Sequence, residues 1–108
     1  MSDLLTEPLA SGTLQSSFQR VYKPQVNRKA ELNAFWVENV SSVSTTIELR
    51  FLLAGQEKNW IKLLLNPGDK AELIDGASIG IFDTDDIQGK AEVNNQVNFN
   101  LFGKTALK

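Results

Sequence analysis

Neither histidine nor cysteine occurs among the 108 residues. Their absence excludes Ser-His-Asp and Cys-His nucleophilic catalysis, zinc sites with the usual ligands, disulfides and thiol redox chemistry within this stretch. Long apolar runs are lacking too. The longest, Phe51-Leu52-Leu53-Ala54 and Leu63-Leu64-Leu65, have strand length and fall far short of the roughly 20 residues of a membrane-spanning helix. The opening Met1-Ser2-Asp3-Leu4-Leu5-Thr6-Glu7-Pro8 carries acids and a proline where a secretory signal needs a basic start and an apolar stretch. These absences set the expectation of a product made in the cytoplasm, with no membrane, metal or cofactor.

What is present describes one small globular domain. The chain is 42% hydrophobic and 22% charged, too apolar for a disordered segment. Residues 1–12 have no clean period and contain Pro8 and Gly12, so they read as an extended arm. Leu4, Leu5 and Leu9 make that arm too apolar for a free tail, and it is expected to lie against its own domain or a neighbouring chain. Residues 13–108 form the domain proper, and its signal is period two. Leu14, Phe18 and Tyr22 alternate with polar residues up to Pro24. From Ala30 to Asn39, Leu32, Ala34 and Trp36 fall on one face and Phe35 and Val37 on the other. Ile47, Leu49, Phe51 and Leu53 share a face opposite Glu48 and Arg50.

A polar loop is expected over residues 54–59, then a strand over 60–65. Asn66-Pro67-Gly68-Asp69 has the proline and glycine of a type II turn. Shorter strands follow over 70–74, 78–82, 87–93 and 96–102. About eight short strands with turn residues every 8 to 12 positions predict an antiparallel β-sandwich or jelly roll.

Motifs for chemistry are weak. Asp83, Asp85 and Asp86 could ligate calcium, but an EF-hand loop counted from Asp83 needs glycine and glutamate where Gln88 and Asn94 stand. No spacing fixes two of Glu31, Glu38, Glu48 and Glu72 as a glycosidase pair. Asn39-Val40-Ser41 matches a glycosylation sequon by composition alone. Trp36, Trp60 and Tyr22 could stack on sugars or serve as packing anchors.

The charge map says more. Between Pro8 and Lys29 stand four bases, Arg20, Lys23, Arg28 and Lys29, and no acid. From Asp69 to Asp86, six acids face the single base Lys70. Such opposed segments are either two solvated surfaces or suited to head-to-tail or ring-like contact between copies. With acids outnumbering bases 13 to 11 and no recognition motif, nucleic acid is not an expected partner. The candidate contact residues are Leu4, Leu5 and Leu9, the four bases, and Trp36 and Trp60.

Residues Asn33 to Gly103 resemble a pattern of small structural proteins of tailed bacteriophages. It is carried by Trp36-Val37-Glu38-Asn39-Val40-Ser41-Ser42, by Leu65-Asn66-Pro67-Gly68-Asp69, by Asp85-Asp86-Ile87-Gln88-Gly89-Lys90-Ala91, and by the closing Val97-Asn98-Phe99-Asn100-Leu101-Phe102-Gly103. Asp85 departs from it, standing where the pattern usually has glycine. The resemblance implies a non-enzymatic virion component, most simply a capsid cement or decoration protein. It would be trimeric, contact the major capsid protein or other virion proteins, and be clamped by its arm. A tail, neck, baseplate or fibre accessory and a carbohydrate-binding module are the alternatives.

Overall fold

A computed structural model describes residues 7–74 and 78–108. Nine strands and no helix occur among them: β1 Glu7–Thr13, β2 Gln19–Tyr22, β3 Arg28–Asn39, β4 Thr45–Leu53, β5 Gln56–Leu65, β6 Lys70–Ile74, β7 Ile79–Phe82, β8 Asp85–Ala91 and β9 Val97–Leu107. They form two antiparallel sheets. The first runs β1-β9-β3-β6, with β7 sharing β3's outer edge beyond β6; the second runs β2-β8-β4-β5. The expected antiparallel sandwich is therefore what the chain builds.

The pairing is nested. Strand β4 pairs with β5, β3 with β6 and β7, β2 with β8, and β1 with β9. The chain is one long hairpin whose tip is Ala54-Gly55, with successive pairs laid alternately into the two sheets. Its outermost pair takes in the segment expected as an extended arm lying against its own domain or a neighbouring chain. Residues 7–12, assigned to the arm, are β-sheet hydrogen-bonded to β9, so the described part of the arm is held by its own sandwich. Leu4 and Leu5 lie outside the described residues.

Three local differences have clear causes. The strand expected from Thr13 is only Gln19–Tyr22, because Leu14 to Phe18 cross between the sheets. There the Leu14 N–H donates to the Val97 carbonyl, and the Ala91 N–H to that of Gln15. The loop expected over 54–59 shrinks to Ala54-Gly55, with φ of 52° and 87°, the two positive angles of a twist-matched hairpin turn. In β3 the register slips between Leu32 and Ala34, so Asn33 is a bulge. Strict alternation would have placed Leu32 with Ala34 and Trp36; the extra residue instead turns Leu32, Phe35 and Val37 inward together, all fully buried.

The interior is apolar, from Leu32, Phe35, Val37, Ile47, Leu49, Ile87, Val97 and Leu101, with Phe35 set edge-on to Phe99 at 6.4 Å. The Asp-Ile-x-Gly-x-Ala stretch is the inner face of β8, where Ile87, Gly89 and Ala91 are successive buried positions. Gly68 takes φ 81° in the turn after β5, and the Asp69 N–H donates to the Asn66 carbonyl at 2.9 Å, as a type II turn requires. The twelve residues of β3 run the length of a molecule 42 Å long. One end carries the β4–β5 tip, the β2–β3 and β7–β8 connections and the end of β9. This is the hairpin end, and the opposite one, with the β1–β2, β3–β4, β5–β6 and β8–β9 connections, is the loop end.

Candidate assembly surfaces

Several of the residues expected to reach a partner also make contacts within the domain. Leu9 packs on the core beside Gly103. Trp60 closes the side of the sandwich, 5.9 Å from the Phe35 ring and 4.9 Å from that of Phe51. Arg20 Nε donates to Asp86 Oδ2 at 3.2 Å, and Arg28 Nη2 to Thr105 Oγ1 at 3.1 Å. Trp36 projects from the outer face of the first sheet, with the Lys70 ammonium 3.9 Å above its ring. Lys23 and Lys29 have no ion-pair partner among the described residues.

The acids of residues 83–86 do not form a separate patch. They fold back onto the hairpin end beside the bases, because β8 returns antiparallel to β2 and β4. Asp83 Oδ1 accepts from the Lys108 ammonium at 2.7 Å and Oδ2 from the Asn27 N–H at 2.7 Å. These bonds hold its carboxyl below the ordinary range, the Lys108 bond first and the Asn27 bond second. Buried Asp85 accepts from the Ala54 N–H at 3.0 Å and the Phe82 N–H at 2.9 Å, tying the hairpin tip to the β7–β8 turn. Burial pushes the nearby Tyr22 phenol up, with Arg28 opposing and Glu7 adding to it.

At the loop end the corresponding tie is Asn39, fully buried. Its Nδ2 donates to the carbonyls of Val43 at 2.8 Å and Leu65 at 3.0 Å, while its Oδ1 accepts from the Ser41 N–H and hydroxyl. The sequon asparagine is thus a structural residue, closed to modification in the folded domain.

On the outer face of the second sheet two ion pairs form. Lys90 pairs with Glu48 at 3.3 Å and Arg50 with Glu57 at 3.2 Å, and the Arg50 guanidinium lies 3.8 Å over the Phe18 ring. The first sheet bears a shallow trough of about 650 Å³ floored by Lys29, Glu31, Gly80, Phe82, Lys104 and Ala106. Its Lys104–Glu31 pair, at 3.9 Å, is self-compensating. No group of three or more carboxylates among the described residues is placed to share a metal ion.

The exposed apolar side chains have the clearest arrangement. All eight large ones among the described residues lie at the two ends: Val26, Leu53, Phe82 and Leu107 at the hairpin end, and Val40, Val43, Leu64 and Val93 at the loop end. Period-two reading missed them because their positions depend on which connections share an end. Only the topology shows that.

No protein-family model matches the chain, and no curated protein matches it. Among solved structures, a chain of Bacillus endospore appendages, described as a family of disulfide-linked pili, superposes with a TM-score of 0.56 at 10% identity, over 95% of this chain and 87% of its own. A chain from infectious bursal disease virus, strain Gx, aligns with a TM-score of 0.35 at 9% identity, over 91% of this chain and 32% of its own. What the pilus chain shares with this one is the two-sheet β fold. The disulfides that mark those pili have no counterpart in 108 residues without cysteine.

Proposed function

We propose that this chain is a non-enzymatic structural subunit of a larger assembly, in its most specific form a capsid cement or decoration protein. The observation that carries the reading is the confinement of exposed large apolar residues to the two ends. Clusters of that kind mark contact surfaces, whereas scattered single residues would need no explanation. Three further features support it. The nested strand order is that of a jelly roll with one strand broken into β6 and β7, an architecture used by capsid domains. The buried ionisable groups Asp85 and Asp86 are tied up in structural bonds. The fold-level likeness to a pilus chain points towards assembly by analogy alone.

In the cement reading Leu4 and Leu5, preceding β1, clamp a neighbour. Each such side chain, fully buried, contributes about 1.5 to 3 kcal/mol before ordering costs. Truncation to residue 7 tests this better than truncation to residue 13, which would remove an edge strand. The expected result is weaker co-sedimentation with candidate shells at an unchanged melting temperature; full occupancy without residues 1–6 removes the clamp. Light scattering tests the wider reading: a trimer or larger assembly, or a monomer that pellets with shells, supports it, and a monomer that pellets with nothing overturns it. A sugar-binding module remains the second reading, because Trp36 stands on an open sheet face beside Asn100 and Glu72. Glycan-dependent quenching of tryptophan fluorescence would favour it.

A further inference from the structure

The two ends differ in charge once the ion pairs within the domain are set aside. Five bases are neutralised locally: Arg20 by Asp86, Arg50 by Glu57, Lys90 by Glu48, Lys104 by Glu31 and Lys108 by Asp83. Among the described residues, the bases left without an ion-pair partner include Lys23, Arg28, Lys29 and Lys58, all at or near the hairpin end, where they outnumber the acids left over, Glu7 and the buried Asp85. The acids left without one include Glu38, Asp69, Glu72 and Glu92, all towards the loop end, where they outnumber Lys62 and Lys70. Each set adjoins the apolar residues of its own end. Lys29 is directly opposite Phe82 and Arg28 opposite Leu107, while Glu92 precedes Val93 and Glu38 lies two residues before Val40.

Resting on the reading of an assembly subunit, we propose that the occupant of each end is a second copy of this chain, joined head to tail, the basic hairpin end of one against the acidic loop end of the next. Each contact places an apolar cluster on an apolar cluster and rings it with opposite charges, the arrangement that fixes partner and orientation. Such a contact is heterologous. Because its two surfaces lie at opposite ends of a 42 Å molecule, copies add in a line and do not close into a ring of three.

Two charge-reversed variants test this by light scattering and sedimentation velocity, with circular dichroism and thermal melting verifying the fold of each. One carries Lys29→Glu and Lys58→Glu, the other Glu38→Lys and Glu72→Lys. The native chain is expected to form a concentration-dependent series of oligomers that shortens as salt rises. Each variant alone should self-associate at least about tenfold more weakly. Mixed one to one they should recover, since the reversed ends complement each other and the native ends still meet.

A discrete trimer, an effect of only one variant, or no recovery on mixing overturns the head-to-tail contact while leaving the assembly reading standing. A native monomer at every concentration also overturns it, and co-sedimentation with shells then decides separately whether the assembly reading survives.

Discussion

Gly103 stands in β9 between β1 and β3, paired with Glu7 on one side and Leu32 on the other. A methyl group there would press into the Glu31 carbonyl oxygen and lie 2.9 Å from Leu9 Cδ1. Backbone atoms cannot retreat as a side-chain tip can, so Gly103→Ala is expected to cost about 2 kcal/mol or more, read from urea denaturation. At Gly89 the added methyl would meet Leu49 Cδ2 and Leu14 Cδ2, which can rotate, and the cost should be smaller. Both glycines belong to the phage-like pattern read from the sequence, and their role is to let neighbours approach closely. The sequence marked the positions, but not the reason: the atoms that forbid a side chain at Gly103 are about seventy residues away along the chain.

At the scale of elements, the hairpin tip is a place where the sequence works against its own geometry. Ala54 holds φ 52°, a left-handed conformation that costs an L-residue with no polar side chain about 1 kcal/mol, compensated in part by its N–H bond to Asp85. Ala54→Asn, giving the Asn-Gly pair such turns prefer, is expected to raise stability by about 0.5 to 1 kcal/mol, seen as a higher melting temperature. The strands were readable wherever burial alternates without interruption, as in β4 and the first part of β9, because period two is a local property. The bulge at Asn33 and strand β1 were not readable. Each is fixed by its partner β9, and β1 meets residues more than eighty positions later in the chain. Leu9, Trp60 and Arg20, apolar, aromatic or basic as an interface would want, also make contacts within their own domain, which only the tertiary structure shows.

For the whole molecule, the tie between Asp83, Asn27 and Lys108 joins the β2–β3 connection, the β7–β8 turn and the chain's last residue. The Asp83 carboxyl is held below its unfolded value, so its contribution is present above the ordinary carboxylate range, near pH 4, and is lost as pH falls through the lower folded value. The native chain is therefore expected to lose melting temperature between about pH 5 and pH 3, and Asp83→Asn to flatten that fall. A variant that keeps the full acid slope would place that slope on other carboxylates. Tyr22 acts at the opposite limit. Its raised phenol contributes fully below its unfolded value and ceases to do so as pH rises through the higher folded one.

The nested pairing also prescribes an order of events. The β4–β5 tip needs a loop of only two residues to close, whereas the β1–β9 pair joins positions as far apart as Glu7 and Gly103. Chain entropy makes each outer pair harder to form until the pair inside it exists, so the domain should zip from Ala54-Gly55 outwards and fold slowly, on the millisecond-to-second scale of non-local β topologies. The same ordering in reverse makes β1 the first strand to open. Amide exchange along residues 7–13 should outpace that of β4, and a partner able to hold those residues down would act as the latch on the whole roll.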